Sequence, residues 1–146
     1  MKKIKFIFKI TLLSLFCITS VLGEESKYFI EGKKLFNNKE FGESKFFFEK
    51  DIVFNPKSEN SYLYLAKIFK KKNDDEAEEL NLNSVLILNP KNEEAIYMLM
   101  KLKVKQSNFS ETEKLLDKFK MVCSSICFKN NEIKKSLLNL STESKN

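Results

Sequence analysis

The chain has 146 residues, of which 42% are hydrophobic and 32% charged, with 3 glycines and 2 prolines. This is the composition of a single domain that is rich in helix formers and poor in turn formers. All 26 basic residues are lysine, so the usual general base near neutral pH (histidine) and the guanidinium fork that binds phosphate (arginine) are both missing. The composition therefore disfavours an enzyme, and we expect no cofactor.

Residues 1–23 have the layout of a secretory signal peptide. Four lysines within the first nine residues precede an apolar run at 10–16, and Val21 and Gly23 suit the −3 and −1 positions of a cleavage site. We therefore expect an exported, periplasmic protein whose mature chain begins at Glu24. Cleavage removes four lysines and no acidic residue, which lowers the formal net charge from +6 to +2. So small a charge argues against a nucleic-acid partner.

Two other interpretations of this segment remain open. Cys17 is a candidate lipidation site, which would make the protein an anchored lipoprotein, although Phe16 stands where a lipobox needs a small residue. The segment can also stay as an uncleaved anchor, but its roughly 13 apolar residues are short of the ~20 that span a bilayer. A membrane contact is thus expected only through the signal peptide or through lipidation at Cys17.

The chain repeats itself with a period of about 34 residues, a length typical of helix–turn–helix repeats. The stretch VFNPKSENSYLYLAK at 53–67 returns as ILNPKNEEAIYMLMK at 87–101, with Pro56 and Pro90 in register. Each proline ends a helix because it lacks an N–H, and a polar residue two positions later can cap the next helix. The register divides the chain into units at about 25–58, 59–92 and 93–126, each long enough for two antiparallel helices.

Small and large side chains recur at matching positions of these units. Gly32 and Ala66 occupy a small position where two helices can approach closely, and Ser44 and Thr112 occupy a second one. The large seam positions are Tyr28, Tyr62 and Ile96; Leu35 and Phe69; Phe41 and Phe109; and Phe48, Leu82 and Leu116. The departures from the pattern are Asp75 and Glu78 in unit 2, and Met100 and Ser124 in unit 3.

These positions and their spacing resemble the tetratricopeptide repeat (TPR) family over essentially the whole mature chain. The resemblance implies an all-α solenoid of antiparallel helix hairpins that binds proteins. It predicts helices near 26–38, 41–54, 58–72, 75–88, 92–106 and 109–122. A seventh helix near 130–140, with Ile133 and Leu137 in its apolar stripe, is expected to cap the last unit.

The resemblance also assigns first-helix positions to a concave groove that binds a partner segment. Two rows run through the units: Phe29, Leu63 and Tyr97, which we expect to be partly exposed, and Lys33, Lys67 and Lys101. The other assigned residues are Phe36, Asn60, Tyr64, Lys70, Lys71, Met98 and Lys105. Such a surface suits a protein or peptide with hydrophobic anchors and acidic residues. In so lysine-rich a chain, the alternative is that the lysines form a solvated face.

Cys123 and Cys127 are the two cysteines of the expected mature chain. A metal site lacks further Cys or His ligands, and the usual redox spacing is C-x-x-C. A disulfide suits an exported protein, but in an intact helix the two Cβ atoms would lie about 5–6 Å apart, too far for the bond. A disulfide therefore requires a helix break, which we expect at 124–125. Two reduced, half-buried thiols are the alternative.

The sequence thus predicts a non-catalytic, exported bacterial scaffold or adaptor that acts in a cell-envelope assembly. A periplasmic holdase-like chaperone, which binds many exposed apolar segments, is the alternative. An enzyme would require a reactive group with a strongly perturbed pKa in a pocket.

Overall fold

The computed structural model describes residues 25–143, which form seven α-helices and no strand. The helices are α1 Lys27–Asn37, α2 Phe41–Phe54, α3 Glu59–Lys72, α4 Asp75–Leu88, α5 Glu93–Lys105, α6 Phe109–Val122 and α7 Lys129–Glu143. They follow the predicted helices closely, and the largest difference is the longer C-terminal end of α7. The predicted signal peptide, with Cys17, lies outside the described residues.

Consecutive helices pack against each other. The pairs α1–α2, α3–α4 and α5–α6 form three hairpins, and the contacts α2–α3 and α4–α5 stack one hairpin on the next. Helix α7 lies against α5 and α6, where Ile133 is buried in the main core. The molecule is therefore the all-α helical-repeat solenoid with a terminal helix that the sequence period predicts. Within residues 25–143, no helix is long and apolar enough to cross a membrane.

The turn inside each hairpin has the same geometry in all three units. Lys39, Asn73 and Ser107 occupy the same position of successive repeats and have φ values of 67°, 56° and 55°. The N–H of the following residue donates to the carbonyl five positions back: Glu40 to Leu35, Asp74 to Phe69 and Asn108 to Lys103. These are Schellman endings, which satisfy the last carbonyls of a helix. The backbone thus repeats with the sequence period, although none of the three left-handed residues is glycine.

The turns that follow the three hairpins also have the same geometry. Asn55 and Asn89 each donate their N–H to the carbonyl four residues earlier at 2.7 Å, and Cys123 does so at 2.8 Å. At the third of these turns, Cys123 and Cys127 form a disulfide with their Cα atoms 5.3 Å apart. Helix α6 ends at Val122, so the break lies where the disulfide requires it.

Side-chain size decides how closely the helices of a hairpin approach. The seam residues Phe48, Leu82 and Leu116 are all buried. A Cβ added to Gly32 would lie 2.9 Å from two carbons of the Phe48 ring, so only glycine fits this crossing of α1 and α2. Ser44 also fits because its hydroxyl donates to the Gly32 carbonyl at 2.9 Å.

Candidate functional site

A groove follows the first helices of the three hairpins, α1, α3 and α5. Its volume is about 530 Å³, and its lining residues are Phe36, Lys67, Lys70, Lys71, Glu94, Tyr97 and Met98. We call it the first-helix groove. Residues three and four apart share one face of a helix, which explains why three lysines of α3 line it together. Its apolar side chains come from α1 and α5, so the surface combines apolar contact area with positive charge. Of these, Met98 is only 5% exposed and belongs to the main core.

The apolar row that we expected along this groove is largely buried instead. Phe29 is 4% exposed and Leu63 is 6% exposed, so the prediction of partial exposure was wrong for both. The Phe29 ring lies 5.8 Å from that of Phe48, and Leu63 belongs to the main core. Tyr97, the third residue of the row, is half-buried and does line the groove.

Tyr64 lies at the seam between the first two hairpins rather than in the groove. Its half-buried ring stacks on Phe48 with the centroids 4.9 Å apart, and it meets Phe36 edge-on at 5.0 Å. Phe36 therefore rests on a tyrosine that is itself fixed in the core. Such packing holds this end of the groove in one shape.

The predicted lysine row is mostly engaged in contacts between successive units. Lys67 on α3 pairs with Glu94 on α5 at 3.0 Å, and Lys101 on α5 pairs with Glu132 on α7 at 2.9 Å. Lys33 is exposed, with its ammonium 5.8 Å from the Phe29 ring centroid. The row is thus partly structural.

Glu132 joins the terminal helix to the groove. Its carboxylate accepts a hydrogen bond from the Tyr97 hydroxyl at 2.6 Å and one from Lys101. These two contacts, first the hydroxyl and then the ammonium, lower the pKa of Glu132 to about 2. Helix α7 therefore fixes the orientation of Tyr97, in addition to covering the last hairpin.

A second cavity adjoins the groove and shares Lys70 with it. Its volume is about 280 Å³, and its lining residues are Lys70, Asn73, Asp75, Glu78, Lys101, Leu102 and Lys105. We call it the Glu78 pocket. Lys105 pairs with Asp75 at 2.6 Å, whereas Lys70 has no ion pair with any described residue.

Glu78 is one of four residues of this pocket that sequence reasoning did not assign to the site; the others are Asn73, Asp75 and Leu102. Glu78 is 3% exposed, and no group among residues 25–143 donates a hydrogen bond to its carboxylate. Burial raises its pKa, an effect that Lys70 partly offsets. The signal was present as a departure from the repeat, because Glu78 stands where the other units have Ser44 and Thr112.

A third surface feature lies on the second helices. Val53, Ile87 and Met121 stand at equivalent positions of the three repeats and are 74%, 80% and 79% exposed. They form a row of isolated apolar side chains, one from each hairpin.

No protein-family model matches the chain, and a search of curated proteins finds no significant match. The part of the chain that the structure describes also contains no cluster of three or more side chains suited to hold a metal ion. Inference about function therefore starts from the first-helix groove and the Glu78 pocket.

Proposed function

We propose that this protein is a non-catalytic, exported interaction module, a scaffold or adaptor that binds a segment of a partner protein in the first-helix groove. The observation that carries the proposal is the lining of that groove, in which Phe36 and Tyr97 provide apolar contacts beside Lys67 and Lys70. A peptide with a hydrophobic anchor and neighbouring carboxylates complements both features.

The repeat geometry supports assignment to the tetratricopeptide type of helical repeat. Left-handed residues at 39, 73 and 107 give every hairpin the same turn at the same point of the repeat. Repeats of this kind bury their apolar faces only by stacking, and stacking leaves the first helices side by side along one surface. Such a surface is suited to an extended partner segment.

The disulfide between Cys123 and Cys127 supports an oxidising compartment. Together with the signal-like segment at 1–23, it favours the periplasm of a bacterial cell as the site of action. A cell-envelope assembly is the setting that we propose for the partner. Lipidation at Cys17 would place the same module on a membrane surface.

Site-specific photo-crosslinking in the producing cells tests this function. A photoreactive side chain is placed at Lys71, on the rim of the groove, and in a control at Lys114, which is exposed on α6. We expect one dominant crosslinked protein from position 71 and none of that product from position 114. The product is expected to be reduced in the Lys70→Glu variant, which reverses the charge of an exposed residue in the groove lining. Equal products from the two positions would remove the groove from consideration.

A holdase-like chaperone is the second candidate, and the exposed row of Val53, Ile87 and Met121 favours it. Repeated apolar side chains suit weak contacts with many unfolded segments. In the same experiment, a chaperone would give many crosslinked clients, with a probe beside Ile87 as productive as the one in the groove.

A further inference from the structure

Glu78 occupies a position that the fold does not require to be charged. The equivalent residues Ser44 and Thr112 are buried and donate their hydroxyl groups to backbone carbonyls, at 2.9 Å and 2.8 Å. Glu78 is buried as a residue, but its carboxylate accepts no hydrogen bond from the described residues and keeps contact with the open pocket instead. An ionised carboxylate without a partner is costly to bury. The attraction of Lys70 and Lys105 offsets only part of that cost.

The other buried carboxylate of the described chain has hydrogen-bond donors within the fold. Asp51 on α2 is fully buried, and it accepts hydrogen bonds from the hydroxyls of Ser26 and of Ser61, the latter at 2.5 Å. Its donors come from two different hairpins, so Asp51 has a structural role in joining them. Glu78 has no such role, and its side chain lines an open pocket instead.

The charges around Glu78 restrict the groups that it can bind. Lys101 and Lys105 are already paired with Glu132 and Asp75, while Lys70 is unpaired within residues 25–143. The uncompensated charge of Lys70 would repel a cationic group that enters the pocket. A neutral donor avoids this repulsion, and a carboxylate on the same ligand can pair with Lys70.

We propose that the Glu78 pocket is a polar subsite of the first-helix groove, in which Glu78 accepts a hydrogen bond from a backbone N–H of an acidic peptide while Lys70 pairs with that peptide's carboxylate. One aspartate residue supplies both groups within a few bonds of each other. The subsite rests on the proposed function, because the peptide reaches it along the groove, with which the pocket shares Lys70.

A donor-deletion scan tests the subsite with the mature chain, residues 24–146. The probes are acetylated and amidated hexapeptides that contain one phenylalanine and two aspartates at varied positions, screened by fluorescence anisotropy. The tightest binder is then N-methylated at each backbone nitrogen in turn, which removes one donor at a time. We expect N-methylation at one position to weaken binding to the wild type by about tenfold or more, because hydrogen bonds to charged acceptors are the strong ones.

Two variants at position 78 identify the acceptor. In Glu78→Met, which is similar in length but cannot accept a strong hydrogen bond, N-methylation at that position should have no effect. In Glu78→Gln, which keeps a neutral acceptor, the loss should be intermediate; this variant carries the test if the methionine variant does not fold. Glu76→Met, on the exposed side of the same helix, is the matched control and should keep the full tenfold penalty.

The outcomes separate the subsite from the proposed function. A penalty that persists unchanged in both Glu78 variants overturns the subsite alone, provided that Lys71→Glu, at an exposed residue that lines the groove but not the pocket, weakens binding of the peptide. Failure of every hexapeptide to bind the wild type overturns the groove and the subsite together.

Discussion

Ser124 donates two hydrogen bonds to a single carboxylate oxygen of Glu93, one from its backbone N–H and one from its hydroxyl, both at 2.7 Å. The N–H groups of Ser125 and Ile126 donate to the other oxygen at 3.1 Å and 3.0 Å. Glu93 begins helix α5, whereas the three residues that donate to it lie in the disulfide loop that follows α6. This one side chain therefore ties the loop after the last hairpin to the start of that hairpin.

The same relationship exists one repeat earlier. Glu59, the equivalent of Glu93 in the preceding repeat, accepts hydrogen bonds from the side-chain amides of Asn89, at 3.0 Å, and of Asn92. A glutamate in the first turn of a first helix thus holds the loop that leaves its own hairpin, with asparagine side chains as donors in one unit and backbone N–H groups in the next.

The first prediction concerns acid unfolding. The Ser124 hydroxyl and then the Ile126 N–H lower the pKa of Glu93 to about 2. A carboxyl group with a lowered folded-state pKa stabilises the protein above its unfolded pKa, and this contribution is lost as the pH falls through the folded value. We expect Glu93→Gln to lower the melting temperature near neutral pH, with the difference shrinking between about pH 4.5 and about pH 2. Thermal melts followed by circular dichroism measure it.

Glu113→Gln is the control because it makes the same charge change at an exposed position on α6. Its melting temperature should stay close to that of the wild type at every pH. Matching pH profiles of the two variants would contradict a specific role of Glu93.

The second prediction compares two glycines. Gly32→Ala places a Cβ about 3 Å from the buried Phe48 ring, which has no room to move, so we expect a loss of about 1–3 kcal/mol in the free energy of unfolding. Gly42→Ala meets no atom within 4 Å in helix α2 and should raise the free energy by about 0.5–1 kcal/mol. Urea unfolding of both variants measures the difference. A Gly32→Ala variant as stable as the wild type would mean that α1 and α2 are not in such close contact.

These residues illustrate what the sequence predicts well. Small side chains at helix crossings and large ones at the seam follow from local spacing, so the repeat period predicts both the seven helices and the crossing at Gly32. The helix break at the disulfide loop could also be predicted from the sequence, because two cysteines four residues apart cannot be joined without a break in the helix.

The exposure of individual side chains was harder to predict from the sequence, because it depends on how far each hairpin rotates against the next. Phe29 and Leu63 stand at the same repeat position as Tyr97, yet two of these side chains are buried and one lines the groove. Tyr97 differs because the helix next to it is α7. Glu132 of α7 accepts a hydrogen bond from the Tyr97 hydroxyl. The repeat pattern contains no information on that contact.

The third prediction follows from this correction. Because Leu63 is buried in the core, Leu63→Ala should cost about 2–5 kcal/mol in the free energy of unfolding, as much as Leu82→Ala. Tyr97→Phe keeps the ring and loses only the hydrogen bond to Glu132, which is exposed to solvent, so we expect a loss of at most about 0.5–1.5 kcal/mol. Chemical denaturation at neutral pH tests both values. A Leu63→Ala variant within experimental error of the wild type would restore that residue to the exposed row.

The fourth prediction concerns the disulfide. Cys123 and Cys127 close a loop of only a few residues, so the loss of chain entropy in the unfolded state is small and the bond should contribute about 2 kcal/mol. We expect the Cys123→Ser/Cys127→Ser double variant to remain folded with a modestly lower unfolding midpoint. Mass spectrometry after alkylation without reduction verifies that the wild-type thiols are absent. Fully alkylated wild-type protein, isolated without added reductant, would contradict the oxidised state.

The last prediction uses the stability of the protein to report on Glu78. Burial raises the pKa of this carboxyl group, so its folded-state contribution is fully present below its unfolded pKa and is lost as the pH rises through the folded value. Glu78→Gln cannot ionise and escapes that loss. The variant should therefore match the wild type at about pH 4 and become the more stable of the two as the pH rises through the folded pKa of Glu78. Urea unfolding across a pH series measures the gain, and the exposed Glu76→Gln variant should show none.

A gain that stays constant with pH would mean that packing, and not ionisation, separates glutamate from glutamine at this position. If the gain grows with pH, the wild type retains a carboxylate that weakens its own fold, as the proposed binding role of Glu78 requires.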